Sequence, residues 1–226
     1  MLSGLISGIY DRLIVSMTVQ WYTCVLEKLP ENALLLDVGV GTASALLQCK
    51  DLVIQKKLRI VGIDYNSFYI DAAQRAVEDQ HMSEYITVQC VDIYDHDKVQ
   101  SLLSKNHHQE PVGMEPRFFD AVYFSGSFSL LPKPLEALQS LSSILVPHKG
   151  RIYITQTYQR HTPFLLHRIK PLLKYLTTID FGNLVTTDDI MELLNKSNLV
   201  LEEHKVIQGS VDNYWQAAYL SILKYE

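Results

Sequence analysis

The chain has 226 residues, of which 47% are hydrophobic and 20% charged, and its formal net charge is −5. This length and composition are typical of one globular domain with a sizeable core. The acidic balance disfavours non-specific binding to nucleic acid, so no nucleic-acid partner is expected. No apolar run reaches the roughly 18–20 residues that a membrane-spanning helix needs.

The cysteines and the N-terminus bear on the compartment. Cys24, Cys49 and Cys90 are odd in number and lack CxxC spacing, which favours free thiols in a reducing environment. The first residues lack the basic start and small-residue cleavage pattern of a secretory signal, and they are not arginine-rich like a mitochondrial presequence. We therefore expect a cytoplasmic protein, or an organellar one if a presequence has been trimmed.

Apolar spacing and turn-forming residues divide the first 160 residues into alternating helices and strands. Apolar residues at helical spacing over 3–28 predict one or two amphipathic helices, which end at Pro30. Five strands and four helices are then predicted: strands at 33–38, 58–64, 85–91, 118–124 and 151–157, and helices at 44–50, 67–80, 97–103 and 135–145. This alternation predicts a parallel sheet with helices on both faces.

The polar segment 104–117 interrupts this alternation and is predicted to be a surface loop. Its adjacent His107 and His108 lack partners at metal-site spacing. We therefore expect a solvated loop, and no metal site is predicted in this chain.

After residue 159 the pattern changes. An apolar and basic helix is predicted over 162–176, and a second helix runs from a cap at 186–189 to residue 196. Strands at 199–206 and 217–223 would close the sheet. We predict a single domain in three parts: a helical cap (1–32), a cofactor-binding core (33–159), and a lid or substrate helix with the closing strands (160–226).

The segment LLLDVGVGTAS, residues 34–44, joins the first strand to a helix at the edge where open α/β sheets bind ligands. Gly39 and Gly41 let the backbone approach a ligand closely. The dinucleotide fingerprint needs a third glycine where Ser44 stands, and no P-loop sequence follows. Asp37 would repel a pyrophosphate but attract a cation. S-adenosylmethionine, with its ammonium group and adenosine, suits this turn.

Two more acids end the next strands. Asp64 lies 23 residues beyond Gly41, near the spacing at which an acid accepts hydrogen bonds from ribose hydroxyls. Asp92 ends the third strand, where an acid can bind the adenine amino group. The alternative for each is an ordinary turn or helix-cap aspartate.

Five segments, in order, resemble the successive motifs of class I S-adenosylmethionine-dependent methyltransferases: LLLDVGVGTAS, VGIDYN, CVDIYD, FDAVYFSGSFSLLP and LVPHKGRIYITQ. The resemblance covers about residues 8–160 and is greatest to the small-molecule branch, including ubiquinone/menaquinone-biosynthesis and phospholipid types. It implies a Rossmann-like, doubly wound α/β fold. That fold has a seven-stranded, mostly parallel sheet with an antiparallel last strand, helices on both faces and an N-terminal helical cap.

The resemblance also implies S-adenosyl-L-methionine as cofactor and assigns its contacts. The methionine end would be held at the glycine turn, the ribose and adenine at the next two strand ends, and the sulfonium at the fourth. The residues for the methionine end are Asp37, Gly39, Gly41 and Thr42. Asp64 would bind the ribose, with Tyr65 packing on the adenosine. Asp92 and Ile93 would face the adenine, and Ser125 and Gly126 would border the sulfonium.

Two positions depart from the family pattern. Ala43 stands where glycine is usual, which the turn should tolerate unless φ must be positive there. Residues 146–150 replace a lysine-proline-glycine-glycine turn, and we expect that change to be neutral.

Catalytic residues are less marked than cofactor residues. SGSFSLL follows the fourth strand instead of Asn/Asp-Pro-Pro-Tyr, which disfavours methylation of adenine or glutamine amino groups. Candidate general bases are Tyr10, His161 and His167, in segments expected to cover the cofactor. An acceptor that is already a deprotonated or neutral nucleophile would need no base.

The predicted helices at 3–28 and 162–176 favour a small hydrophobic acceptor such as a lipid or quinone, although their apolar faces suit a core or oligomer interface equally well. The basic residues of the second helix would face an anionic membrane surface, an acidic substrate group or solvent: His167, Arg168, Lys170 and Lys174. The predicted function is methyl transfer by in-line displacement. The alternative is a catalytically inactive binding or scaffold protein of the same fold, within a larger assembly.

Overall fold

Seven strands form the central sheet. The structure, a computed structural model, describes residues 15–105, 118–160, 191–194, 196–197 and 199–226. The strands are β1 (Leu34–Val38), β2 (Arg59–Asp64), β3 (Ile86–Cys90), β4 (Ala121–Ser125), β5 (Arg151–Gln159), β6 (Leu199–Val206) and β7 (Gln216–Tyr225). All seven overlap the predicted strands. Apolar residues fill the central strands because both faces of the sheet are covered.

Helices connect the strands. They are α1 (15–26), α2 (Ser44–Gln48), α3 (Lys50–Gln55), α4 (Ser67–Asp79), α5 (His96–Lys105) and α6 (Pro134–Ser140), and residues 191–194 form a further helical turn. Asn66 caps α4, because its side chain accepts a hydrogen bond from the backbone N–H of Phe68 at 3.0 Å. Within the described ranges, no helix is long and apolar enough to cross a membrane.

Two predicted helices are shorter than expected. The helix predicted over 44–50 ends at Gln48, and the chain turns at Cys49 before α3 begins. The turn directs Leu46 and Val53, on the two short helices, into the same core. The helix predicted over 135–145 ends at Ser140 and continues as a short 3-10 turn. The predicted helix over 162–176 lies outside the described residues.

The strand order is β3-β2-β1-β4-β5-β7-β6. Strands β1 to β5 pair in parallel, and β7 is antiparallel to both β5 and β6. This arrangement confirms the predicted doubly wound sheet with an antiparallel last strand. The order reverses between β1 and β4, and ligands of such sheets bind outside the carboxyl ends of the strands at this point.

Side chains of each strand alternate between two cores. Asp37 and Tyr123 point toward the face covered by α1, α2 and α4, whereas Leu36 and Val122 point toward α5 and α6. The buried acid therefore faces α1. This helix supplies the side chains that complete the site.

A lysine fixes the end of α1. The ammonium group of Lys56 donates hydrogen bonds to the carbonyl oxygens of Leu26 at 3.0 Å and Glu27 at 2.7 Å, and also to that of Leu29. Carbonyls at a helix end lack partners within the helix, and a cation there is favourable. Lys56 thereby holds α1 against the sheet beside β1.

Candidate functional site

The turn after β1 has three consecutive odd-numbered residues with positive φ. These are Gly39 at 78°, Gly41 at 58° and Ala43 at 57°. The backbone N–H groups of Gly39 and Val40 both donate to the carbonyl of Ile63 on β2, at 2.8 and 3.1 Å. The turn is therefore tied to the neighbouring strand and lies over the switch point.

The two glycines serve different needs. A Cβ on Gly39 would lie 2.5 Å from the Cβ of Ser127, whose hydroxyl donates to the carbonyl of Val38. Glycine is thus required there by packing as well as by φ. A Cβ on Gly41 would meet nothing within 4 Å. The space in front of Gly41 is open for a ligand to approach its backbone.

Ala43 occupies the left-handed conformation, which is the unfavourable case for a residue with a side chain. It is 2% exposed, and its carbonyl accepts from the N–H of Leu47 at 2.9 Å to begin α2. A residue with a Cβ pays roughly 1–2 kcal/mol to adopt this conformation. The expectation that the turn tolerates alanine carried the condition that φ is not positive, and φ is positive here: the turn forms, but with backbone strain at Ala43.

Replacing Ala43 by glycine tests this strain. We expect Ala43→Gly to raise the free energy of unfolding by about 0.5–1 kcal/mol, because relief of the left-handed strain outweighs the added freedom of glycine in the unfolded chain. Urea unfolding followed by circular dichroism measures the difference. Ala73→Gly, at a buried position inside α4, is the control and should destabilise. A loss of stability in Ala43→Gly would contradict the argument.

Asp37 is completely buried and has one hydrogen-bonded and one unpaired oxygen. Its Oδ2 accepts from the hydroxyl of Tyr22 on α1 at 2.7 Å. Its Oδ1 has no hydrogen-bond partner among the described residues. A buried unpaired carboxylate oxygen is costly unless a donor reaches it. The group needs a hydrogen-bond donor, and a cationic one would suit it best.

The surroundings of Asp37 shift two pKa values. Burial raises the pKa of the Asp37 carboxyl from 3.8 to about 7, against the lowering effect of the Tyr22 hydrogen bond, and the nearby Asp64 charge adds to the rise. Burial and the charge of Asp37 raise the pKa of the Tyr22 phenol. Tyr22 therefore stays protonated and always donates, while Asp37 changes protonation near neutral pH.

Asp64 lies at the carboxyl end of β2, and its side chain bridges two loops. Its Oδ2 accepts from the backbone N–H of Gly41 at 3.1 Å, and its Oδ1 accepts from that of Asn66 at 2.9 Å. The first bond places Asp64 beside the glycine turn. Each carboxylate oxygen can accept a second hydrogen bond, so the pair of hydroxyls on a ribose could still be held.

The remaining predicted contacts on this side differ in burial. The Tyr65 side chain is 78% exposed beside Asp64, and the Ile93 side chain is buried. Asp92 is exposed, and its Oδ1 accepts from the backbone N–H of Tyr94 at 3.0 Å in a local turn. Thr42 is exposed, with its hydroxyl 2.8 Å from that of Ser44. Thr42 thus belongs to the glycine turn itself, whereas Tyr65 follows β2 and Asp92 and Ile93 follow β3. Asp92 has the turn role named as its alternative.

Ser125 and Gly126, predicted to border the sulfonium, end β4 next to β1. Gly126 has φ of 72°, and its N–H donates to the carbonyl of Thr155 at 2.9 Å. The indole of Trp21 packs against it, since a Cβ on Gly126 would lie 3.3 Å from that ring. The Trp21 N–H donates to the hydroxyl of Ser210 at 2.9 Å. α1 thus closes the site on the side of β4.

Sequence reasoning missed three residues of this site: Trp21, Tyr22 and Ser127. The first two were assigned only to an amphipathic helix, and their helical spacing does not distinguish site residues from core. One signal was available for Tyr22, because an acid inside the apolar run of β1 needs a buried donor. No spacing in the sequence indicates that Ser127 packs against Gly39.

The three predicted bases, Tyr10, His161 and His167, lie outside the described residues and stay predictions. Within the parts of the chain that the structure describes, no group of three or more His, Cys, Asp or Glu side chains is arranged to hold a metal ion. What the described site offers is a buried carboxylate, an open glycine turn and a second carboxylate at the neighbouring strand end.

Comparisons with known proteins bear on the fold. No protein-family model matches this chain, and no curated protein matches it. Many solved structures are similar to this chain, among them the following three, all at low sequence identity. The [4+2]-cyclase SpnF has a TM-score of 0.64 at 13% identity, over 92% of this chain and 81% of its own. A methyltransferase from Thiobacillus denitrificans, in complex with S-adenosyl-L-homocysteine, has a TM-score of 0.61 at 12% identity, over 92% and 91%.

The third is a magnesium protoporphyrin IX methyltransferase from Synechocystis with bound S-adenosylmethionine. Its TM-score is 0.54 at 13% identity, over 94% of this chain and 78% of its own. These likenesses identify the architecture as the Rossmann-like methyltransferase fold, which confirms the predicted fold class. They concern the fold alone, and a cyclase is among them. The activity must therefore be argued from the site.

Proposed function

We propose that this chain is an S-adenosylmethionine-dependent methyltransferase that acts on a small hydrophobic acceptor. The observation that carries the proposal is the unpaired, buried Oδ1 of Asp37 beside the turn of Gly39 and Gly41. A buried carboxylate oxygen without a donor is suited to an incoming ammonium group, which the methionine end of this cofactor supplies.

The other residues fit the rest of the cofactor. Gly41 leaves its backbone accessible, Asp64 retains acceptor capacity for ribose hydroxyls, and Tyr65 presents an exposed ring next to it. When bound, the cofactor supplies an electrophilic methyl group on sulfur. The protein then has to hold the acceptor in line with that group and exclude water. Trp21, packed against Gly126, bounds the space on that side.

The hydrophobic character of the acceptor rests on the sequence pattern of segment 162–176 and of the residues that precede α1, because the apolar side chains of α1 itself pack into the core. A neighbour in fold named for magnesium protoporphyrin IX, a small molecule, is consistent with a small acceptor. The chain also resembles ubiquinone/menaquinone-biosynthesis and phospholipid methyltransferases, and this resemblance likewise implies a small hydrophobic acceptor. An assay should therefore begin with quinols, phenols and lipid headgroup amines.

A second function is a binding or scaffold protein that holds the cofactor without transferring its methyl group. Two observations favour it: the strained Ala43 in the turn, and the occurrence of the same fold in a [4+2]-cyclase. Both functions share the cofactor site. They differ only in whether methyl transfer to an acceptor is detected.

Cofactor binding tests the shared part of both proposals. We expect S-adenosylmethionine and S-adenosylhomocysteine to bind in calorimetry. We expect Asp64→Ala to weaken binding by about 1.5–3 kcal/mol, or roughly 10- to 150-fold in Kd, because hydrogen bonds to a charged carboxylate are lost. Asp79→Ala removes the same charge from an exposed position at the far end of α4 and should leave Kd unchanged.

Two results would count against the proposal. If the wild-type protein does not bind the cofactor at millimolar concentration, the proposed cofactor is excluded, and the methyltransferase function is excluded with it. Equal Kd values for wild type and Asp64→Ala, in a variant that circular dichroism shows to be folded, would place the ribose elsewhere. Release of S-adenosylhomocysteine with a panel of acceptors then separates the enzyme from the scaffold.

A further inference from the structure

Exposed aromatic and aliphatic side chains are concentrated at one edge of the sheet. Eight large hydrophobic residues are exposed in the described part of the chain. Six of them follow the carboxyl ends of the parallel strands or precede the antiparallel β7, which starts at that same edge. We call these six the aromatic edge: Tyr65, Phe68, Tyr69, Leu130, Tyr214 and Trp215. Five of the six are aromatic.

The aromatic edge is broad. Tyr65, Phe68 and Tyr69 lie between β2 and the first turn of α4, Leu130 follows β4, and Trp215 lies next to β7. Four strand spacings separate β2 from β7 in the sheet, or roughly 19 Å. Side chains spread over that width on separate loops suit an extended surface better than one pocket.

Two exposed members of the aromatic edge, Phe68 and Trp215, lie outside the buried core. Phe68 is 82% exposed in the first turn of α4, a helix whose buried face is formed by other residues. Trp215 is 51% exposed, and Asn213 holds it in place by accepting hydrogen bonds from the backbone N–H groups of Trp215 and Gln216 at 2.9 and 3.0 Å. A loop that fixes an exposed Trp points to a contact outside the chain.

Charges at this edge are largely paired. Arg160 contacts Asp212 at 2.7 Å, beside Trp215. Lys98 contacts Asp95 at 2.7 Å, and Lys133 contacts Glu136 at 2.9 Å. The exposed Asp92 adds negative charge. The described charges therefore give this edge no net positive charge, so they provide no electrostatic attraction to anionic lipid.

We propose that the aromatic edge binds the surface of an electrically neutral lipid membrane, with Phe68 and Trp215 inserted at the level of the headgroups. Trp and Tyr, whose rings carry a polar group, favour this interface, Phe adds apolar area, and binding strength follows the apolar area inserted. The contact would turn the mouth of the candidate site, at the ends of β1 and β4, toward the membrane. A hydrophobic acceptor could then reach the site without crossing water.

This inference goes beyond the proposed function and does not depend on it, since membrane binding is measured without cofactor. The full chain is sedimented with phosphatidylcholine vesicles that carry brominated acyl chains. The chain has two tryptophans, and Trp21 is 4% exposed, so quenching of fluorescence by bromine reports on Trp215. We expect quenching in the wild type and its loss in Trp215→Phe, which retains vesicle binding.

A matched pair of double variants tests the location. Phe68→Ser/Trp215→Ser is expected to reduce the vesicle partition constant about tenfold or more. Ile54→Ser/Phe118→Ser removes the two exposed hydrophobic residues at the opposite edge and should leave it unchanged. Neither pair belongs to the candidate cofactor site, so calorimetry with S-adenosylmethionine should give the wild-type Kd for both.

Three outcomes would overturn the proposal. One is no sedimentation of the wild type with neutral vesicles. The second is equal binding by the two double variants. The third is binding that appears only when phosphatidylserine is added, which would assign the contact to basic residues instead. If Phe68→Ser/Trp215→Ser instead changes the molar mass in light scattering without changing vesicle binding, the edge is an interface between copies of this chain.

Discussion

Replacing Asp37 by asparagine is expected to weaken S-adenosylmethionine binding at pH 8 by about 100-fold or more, since a buried charge pair with the cofactor's ammonium group is lost. Asparagine preserves the shape of the side chain and an oxygen that can accept from Tyr22. The effect would therefore report the charge of Asp37 and not its volume. Asp120, a partly buried acid that directly precedes β4 and accepts from the N–H of Leu34 at 2.7 Å, provides the matched control Asp120→Asn.

The same substitution should stabilise the protein without ligand above pH 7. The pKa of Asp37 is raised from 3.8 to about 7 in the folded chain. Between these values the folded chain holds a proton that the unfolded chain has released, so stability falls as the pH rises from about 4 to 7. The asparagine side chain does not titrate, so the variant has no such dependence. After allowing about 1–3 kcal/mol for its buried amide, we expect a gain of roughly 1–3 kcal/mol at pH 8.

Two pH series measure these effects. Wild-type affinity for the cofactor should fall about tenfold for each pH unit below about 7, because Asp37 must lose its proton to bind a cation. The affinity of Asp37→Asn should not change with pH in this range. Tyr22→Phe removes the donor to Oδ2 of Asp37. The pH below which cofactor affinity falls should therefore be higher in this variant than in the wild type. A wild-type affinity that is constant between pH 5 and 8 would contradict the assignment of Asp37 to the ammonium group.

The second large effect is that alanine at Gly39 and alanine at Gly41 should affect stability and cofactor binding to different extents. Gly39→Ala is expected to destabilise the protein by about 3 kcal/mol or more, from left-handed strain of roughly 1–2 kcal/mol and overpacking of 1–3 kcal/mol. The new Cβ would lie 2.5 Å from the Cβ of Ser127, a contact that requires the loop to shift. Cofactor affinity should fall with it, because a shift of the turn at Gly39 away from Ser127 moves the backbone that faces the ligand.

Gly41→Ala is the matched comparison. Its φ is also positive, but no atom lies within 4 Å of the added Cβ, so strain of about 1–2 kcal/mol is the whole cost to stability. The methyl group would instead enter the space in front of the turn. We expect a modest loss of stability together with a loss of cofactor affinity at least as large as in Gly39→Ala.

Urea unfolding measures the stability of Gly39→Ala and Gly41→Ala, and calorimetry measures the cofactor affinity of each. Ser127→Gly in the Gly39→Ala background should recover part of the lost stability, because it removes the clashing atoms. Failure of this recovery would mean that the cost at Gly39 is conformational only. Wild-type cofactor affinity in Gly41→Ala would show that no ligand approaches this part of the turn.

The strands could be predicted from sequence because each is a short apolar run bounded by turn residues. β6 was predicted at its observed bounds, and β4 was predicted three residues early, at 118 instead of Ala121. Phe119 makes only an isolated bridge with Leu145 there, so its apolar character reflects core packing and not strand pairing. Short helices were harder, since α2 and α3 divide at Cys49 through a local backbone turn that no breaker residue marks.

The order of residues along the chain determined the class of fold and the identity of the turn. Alternating strand and helix patterns allow few sheet topologies, and Asp37 with two glycines in the first turn already indicated a ligand with a positive charge. These features are local, so the sequence carries them directly. The same holds for the acid at the end of β2.

Tertiary structure decided the burial, the hydrogen-bond partners and the backbone strain of those residues. That Asp37 is completely buried, bonded by Tyr22 on one oxygen and unpaired on the other, depends on how α1 packs on the sheet. The left-handed strain of Ala43 and the clash that forbids a side chain at Gly39 depend on backbone geometry and on a neighbour nearly 90 residues away. Burial and pairing between distant segments set pKa values, strain and ligand access, and no local pattern in the sequence encodes them.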